Sequence, residues 1–172
     1  MPQGYVHVYT GNGKGKTTAA LGLALRAVGA GHRVFIAQFA KGMDSSESRA
    51  FARLSDRVVL RQFGLPHFVR GQATPADVTI ASLGLREVES AVHGGEYDMV
   101  VLDEANVAVK LGLLPLDWLL QLIVEKPEPL ELVITGQAAH PRLIEIADLV
   151  TEMREVKHYF RRGVLARIGV DM

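Results

Sequence analysis

Tyr5-Val6-His7-Val8-Tyr9-Thr10-Gly11-Asn12-Gly13-Lys14-Gly15-Lys16-Thr17-Thr18 is the stretch that decides the fold. A run of alternating β-branched and aromatic residues gives way to Gly11, Gly13 and Gly15, and an Ala- and Leu-rich helical pattern follows as far as Val28. In the order strand, loop, helix, successive backbone amides turn inward and the helix N-terminus adds its positive end, so the loop can cradle phosphate. Gly15-Lys16-Thr17 supplies the G-K-[ST] end of the P-loop pattern, whereas Thr10 stands where the pattern has its first glycine. Gly11 and Gly13 lie inside the loop and leave it free to curl. The spacing assigns Gly11, Asn12, Gly13, Lys14, Gly15, Lys16, Thr17 and Thr18 to nucleotide binding. Lys16 neutralises phosphate oxygens, the Thr17 hydroxyl meets a metal, and the amides from Asn12 to Thr18 hold the remaining oxygens. The dinucleotide pattern G-x-G-x-x-G is not met.

Outward from that loop, short apolar runs alternate with longer segments of helical periodicity, the pattern of a parallel sheet covered by helices. Strands are expected near residues 5–9, 34–40, 58–62, 99–103, 131–135 and 165–170, and helices over residues 16–28, 76–92, 116–124 and 141–147. Thr74-Pro75 reads as an N-cap followed by proline in the first turn, and Gly94-Gly95 as the stop of that helix. Residues 41–48 and 63–74 have the composition of long loops, which in a compact domain are usually functional. The expected architecture is a single α/β domain with a mostly parallel sheet flanked by helices, a P-loop nucleoside-triphosphatase fold of the RecA-like kind.

Tyr97-Asp98-Met99-Val100-Val101-Leu102-Asp103-Glu104 reads as an apolar strand ending in two carboxylates. A hard divalent cation takes oxygen ligands, and magnesium usually takes one or two carboxylates with phosphates, so Asp103 and Glu104 join Thr17 as candidate metal ligands. Lys16 and Glu104 are the candidate catalytic residues. Gln38-Phe39-Ala40-Lys41-Gly42 and Thr135-Gly136-Gln137 also follow expected strands, and ligands of open α/β sheets bind beyond the carboxyl ends of strands. Lys41 therefore joins the nucleotide-binding set.

Over the 172 residues, Lys plus Arg balance Asp plus Glu at 19 each, so no global field draws the chain to nucleic acid or to an anionic membrane. With no cysteine there is no disulfide framework, thiolate zinc site or cysteine nucleophile. No secretion signal opens the chain, and the apolar stretch 111–124 is broken by Gly112, Pro115, Asp117 and Gln121, so a cytoplasmic protein is expected.

Together these residues resemble the ATP:corrinoid adenosyltransferases. The likeness runs through Gly11-Asn12-Gly13-Lys14-Gly15-Lys16-Thr17-Thr18, Gln38-Phe39-Ala40-Lys41-Gly42, Val101-Leu102-Asp103-Glu104 and Ile134-Thr135-Gly136. It continues in Ala147-Asp148-Leu149-Val150-Thr151-Glu152-Met153, Val156-Lys157-His158 and Gly163-Val164-Leu165-Ala166-Arg167-Ile168-Gly169. The resemblance implies transfer of the 5′-deoxyadenosyl group of ATP to the cobalt of a reduced corrinoid, with triphosphate leaving. It also implies a divalent cation, Mg2+ or Mn2+, a flavoprotein as reductant and a homodimer. Gln137 stands where many members have arginine, and Gly64-Leu65-Pro66-His67-Phe68 replaces an aromatic pair that removes the lower cobalt ligand. Phe63, His67 and Phe68 are the candidate corrinoid wall, with packing of the loop as the competing role for the two phenylalanines. A cobalt-ligating His158 is set against a structural histidine, and Trp118 reads as core. Two other readings remain open: a P-loop ATPase or phosphotransferase, and a nucleotide-dependent switch.

Overall fold

Six short strands carry the molecule: β1 (Val6–Thr10), β2 (Val34–Phe39), β3 (Val58–Phe63), β4 (Met99–Asp103), β5 (Glu131–Thr135) and β6 (Leu149–Glu152). They form one sheet in the order β3-β2-β4-β5-β1-β6, and every neighbouring pair is parallel. The computed structural model describes residues 2–43, 45–54, 56–66 and 73–171. Parallel neighbours require crossovers, and helices α1 (Lys16–Gly29), α2 (Ser46–Phe51), α3 (Pro75–His93), α4 (Ala105–Lys110), α5 (Leu116–Glu125) and α6 (Pro141–Ile146) lie in the connections.

The period-two alternation of the strands divides the core. Val34 and Ile36 of β2, Met99 and Val101 of β4 and Val133 of β5 face α1, where Ala20, Leu21, Ala24 and Ala27 cover them. Phe35, Ala37, Phe39, Val100, Leu102, Leu132 and Ile134 face the opposite way, toward α3, α5 and α6. Every residue of β2, β4 and β5 is therefore buried, as expected of central parallel strands. β6, on the edge, is exposed at all four positions.

Three expectations need correction. The sixth strand is residues 149–152, not 165–170. Residues 165–170 are mostly apolar, but Leu165, Ile168 and Val170 are 75%, 79% and 55% exposed, and an apolar run without a partner strand makes no ladder. Residues 46–51, placed partly in a loop, form α2, because the Ser45 side chain accepts from the Ser48 amide and Ser48 answers to the Ser45 amide, a complete capping box. α4 was not expected: six residues are too few to show a helical period.

Candidate active site

Alternation and register together build the site. On the face that α1 covers, the strands read Val58-x-Leu60-x-Gln62, Val34-x-Ile36-x-Gln38, Met99-x-Val101-x-Asp103 and Glu131-x-Val133-x-Thr135. Each therefore ends this face in a polar residue at its carboxyl end. Gln62 pairs in register with Gln38, and Gln38 with Asp103. A row of polar groups thus crosses the sheet beside the N-terminus of α1.

Asp103 is the centre of that row, 1% exposed. Its Oδ1 accepts from the Thr17 hydroxyl at 2.8 Å and from the Thr135 hydroxyl at 2.7 Å, and its Oδ2 accepts from Gln38 Nε2 at 2.9 Å. Three donors on one carboxylate satisfy the hydrogen-bonding needs of a buried polar group. Thr17 gives its only proton to Asp103, which leaves the lone pairs of its oxygen for a cation. Thr135 also accepts from the Glu104 amide at 3.0 Å, tying the two strand ends together.

Glu104 has a φ of 58° and caps α4. Burial raises its carboxyl above the usual range and Asp103 adds to this, while Lys16 and Lys41 oppose it. Lys16 is buried; desolvation lowers its ammonium, and Glu104 and Asp103 oppose that shift. Its Nζ donates to the Gly13 carbonyl at 2.7 Å. The structure thus brings Lys16, Thr17, Lys41, Asp103 and Glu104 together. Ala40, Glu104 and Ala138 have positive φ without being glycine, and all three follow the ends of central strands. Each such residue costs on the order of 1–3 kcal/mol, and strain of this kind gathers at functional sites.

The phosphate loop departs from the sequence expectation in three particulars. Thr10 closes β1, and positive φ begins at Gly11, at 96°. The first-glycine position is thus ordinary strand, and the Thr10 hydroxyl accepts from the Ala139 amide at 3.1 Å. The Gly13 amide, expected to face phosphate, donates to the Met153 carbonyl at 2.6 Å. A Cβ on Gly11 would stand 2.3 Å from that carbonyl oxygen, so the residues after β6 press directly on the loop. Lys14 turns outward, donating to the Val170 carbonyl at 2.8 Å and to Asp171 at 2.7 Å. Asn12 accepts from the Glu155 amide through its side chain at 3.0 Å, Gly15 caps α1 at a φ of 119°, and Thr18 is exposed.

On the expected corrinoid side, Phe63 takes the competing packing role. It is 6% exposed and packs with Phe39, ring centroids 5.7 Å apart, beneath Gly84 of α3, so its ring serves the core. His67 and Phe68 lie outside the described residues. His158 accepts from the Phe160 amide through Nδ1 at 3.1 Å and so caps a short 3-10 turn, a structural role. Trp118 is partly buried against the core and donates to Glu89. Gln137 is exposed.

An all-oxygen set of Thr17, Asp103 and Glu104 suits a hard divalent cation. Among the described residues no three His, Cys, Asp or Glu side chains cluster as a complete metal cage. Such a set matches an ion that keeps waters and substrate phosphates in its shell.

Sequence reasoning missed Gln62 and the contacts from Met153. The polar residue closing each apolar alternation was a visible signal for Gln62; nothing local pointed to Met153.

The family model described as ATP:corrinoid adenosyltransferase BtuR/CobO/CobP matches residues 2–172. A protein of Pseudomonas aeruginosa named corrinoid adenosyltransferase is 38% identical over 170 residues, covering 98% of this chain and 84% of its own length. Proteins of the same name from Escherichia coli and Sinorhizobium sp are 36% and 33% identical, each over 98% of this chain and over 86% and 80% of their own lengths. With its phosphate loop, buried aspartate and neighbouring glutamate in one place, this chain belongs to the ATP:corrinoid adenosyltransferase family.

Proposed function

We propose that the site performs the family's reaction through the residues just described: the 5′-deoxyadenosyl group of ATP passes to the cobalt of a reduced corrinoid and triphosphate leaves. The protein is an enzyme, a corrinoid adenosyltransferase, by its kinship with proteins of that name. The observation that carries the residue assignment is the convergence of Lys16, Thr17, Asp103 and Glu104 at the carboxyl ends of β1 and β4.

The reduced cobalt is itself the nucleophile, so the protein has no need of a strong base. Its work is orientation of C5′ toward the cobalt and stabilisation of charge on the departing triphosphate. Lys16 is poised for the second task. Its burial makes an unpaired ammonium unfavourable, and a polyanion relieves that penalty as negative charge develops. Thr17, Asp103 and Glu104 would hold Mg2+ or Mn2+, which neutralises phosphate charge when bound. Lys41, on the loop after β2, is close enough for its charge to act on Glu104 and adds positive potential above the strand ends. His67 and Phe68 remain the proposed corrinoid wall. A flavoprotein reductant, a homodimer and a cytoplasmic setting complete the reading; among the described residues no helix is long and apolar enough to cross a membrane.

The decisive experiment incubates the protein with ATP, Mg2+ and chemically reduced cobalamin, then identifies the phosphorus product. Triphosphate and adenosylcobalamin are expected in equal amounts. Release of ADP or orthophosphate at the same rate without corrinoid would overturn the proposal in favour of an ordinary ATPase.

A further inference from the structure

Gln62 lies on β3, two strands from Asp103, and none of the chemistry above uses it. Its Nε2 donates to Gln38 Oε1 at 3.1 Å and to the Met43 carbonyl at 3.0 Å. Gln38 is fully buried and passes the connection on, its Nε2 donating to Asp103 Oδ2 at 2.9 Å. A primary amide has one donor end and one acceptor end, and inside a protein both need partners. Because Gln62 offers a donor to Oε1, Gln38 keeps its N–H end on the aspartate. An acceptor at position 62 would favour the reversed amide, oxygen facing carboxylate oxygen.

The second bond matters as much. Met43 belongs to the loop that leaves β2 and holds Lys41, whose charge acts on Glu104. The same loop is pressed against the end of β3: a Cβ on Gly42 would stand 2.2 Å from the Gly64 carbonyl oxygen, and one on Gly64 would stand 2.4 Å from the Lys41 amide nitrogen. No side chain could separate the two segments without moving backbone.

We propose that Gln62 is a positioning residue which, by holding Gln38 and the Met43 carbonyl with one amide group, makes the orientation of Asp103 and the seating of the Lys41 loop a single event. The inference rests on the reading of Asp103 as the carboxylate that serves the metal–nucleotide complex. Metal–ATP binding should therefore respond to a residue that touches neither.

The test compares Gln62→Met, which keeps length and loses both bonds, with Gln62→Glu, which keeps shape and offers only acceptors. Binding of Mn2+·ATP is followed by electron paramagnetic resonance, beside metal-free ATP binding, melting temperature and the separate kcat and KM. Gln62→Met should weaken Mn2+·ATP by about three- to tenfold, the equivalent of one neutral hydrogen bond, and Gln62→Glu by more. Metal-free ATP binding should stay within about twofold, and KM for metal–ATP should move more than kcat. Combined with Lys41→Met, Gln62→Met should cost less than the two single losses multiplied, because both act through one loop.

Unchanged Mn2+·ATP binding in both Gln62 variants, or an equal fall with and without metal together with a lower melting temperature, would overturn the proposal and make Gln62 a packing residue. Asp103→Asn separates this from failure of the underlying reading. If that variant loses Mn2+·ATP affinity while the Gln62 variants keep it, only the relay fails. If it too binds normally, the metal assignment of Asp103 falls and takes the relay with it.

Discussion

Lys16 and Glu104 show how burial, rather than proximity alone, tunes this site. Burial lowers the Lys16 ammonium and raises the Glu104 carboxyl, and each group pulls the other back toward its charged form. Lys16→Ala should reduce kcat/KM by a factor corresponding to about 2.7–4 kcal/mol, the usual value of one preorganised electrostatic contact. Its melting temperature should change little, since removing a desolvated ammonium also removes a cost; near-normal turnover would place the nucleotide elsewhere. For Glu104 the sign follows from linkage. A folded pKa above the ordinary 4.5 means the native state binds the proton more tightly than the unfolded chain. The stabilisation from protonation is complete below the unfolded value and is lost as pH rises through the folded one. Without metal or nucleotide, Glu104→Gln should therefore melt higher than the parent protein at neutral pH, and the gap should close as pH falls toward that ordinary value. Equal melting curves at every pH would contradict this. In activity assays, Glu104→Gln and Asp103→Asn should each raise the Mg2+ concentration needed for half-maximal rate; an unchanged magnesium titration for both would show that neither serves the metal.

Two glycines separate intrinsic helix propensity from packing at the scale of the element. Gly22 in α1 has nothing within 4 Å of where a Cβ would stand, whereas a Cβ on Gly84 in α3 would meet Phe63 at 2.6 Å and Phe39 at 2.8 Å. Alanine gains about 1 kcal/mol over glycine inside a helix, while overpacking a core costs about 1–3 kcal/mol. Gly22→Ala should therefore stabilise the protein by roughly 0.5–1 kcal/mol, and Gly84→Ala should destabilise it, both read from denaturant midpoints at constant slope. A stabilised Gly84→Ala would show that α3 can shift off the two phenylalanines at no cost. The elements themselves were legible where period and caps agreed: α3 begins at the Thr74-Pro75 signal, and the central strands fall within a residue of their apolar runs. They were illegible where a short helix shows no period, as in α4, or where a C-terminal apolar run never meets a partner.

Over the whole molecule, the chain after β6 returns to brace the phosphate loop. Asp171 accepts from Lys14 and from the Tyr159 hydroxyl and pairs with Arg167, which lies over the Tyr159 ring at 4.8 Å. Lys14, then Tyr159 and Arg167, hold the Asp171 carboxyl well below the usual carboxylate range. A depressed folded pKa keeps the carboxylate ionised through neutral and mildly acidic pH, so this brace persists there. Asp171→Asn should leave the melting temperature nearly unchanged, because its partners Lys14 and Arg167 are solvent-exposed and ion pairs to exposed cations contribute little. It should nevertheless speed amide hydrogen exchange in residues 11–15, whose outer side this tail supports; unaltered exchange there would mean that Met153 alone holds the loop.

The sequence by itself determined the α/β class, the phosphate loop and the carboxylate-ended strand, because each is a local pattern: a glycine spacing, an apolar period, a polar residue at a strand end. Its resemblance to the adenosyltransferases agrees with the family that the chain matches from residue 2 to 172. Only the tertiary structure decided that β5 lies between β1 and β4, that Lys14 and the Gly13 amide are committed to the C-terminal segment, that Phe63 is core, and that Gln62 reaches Asp103 through Gln38. These depend on strand order and register across gaps of 20 residues and more. Pairing at that range is set by which apolar faces bury together, and no local window of sequence contains both partners.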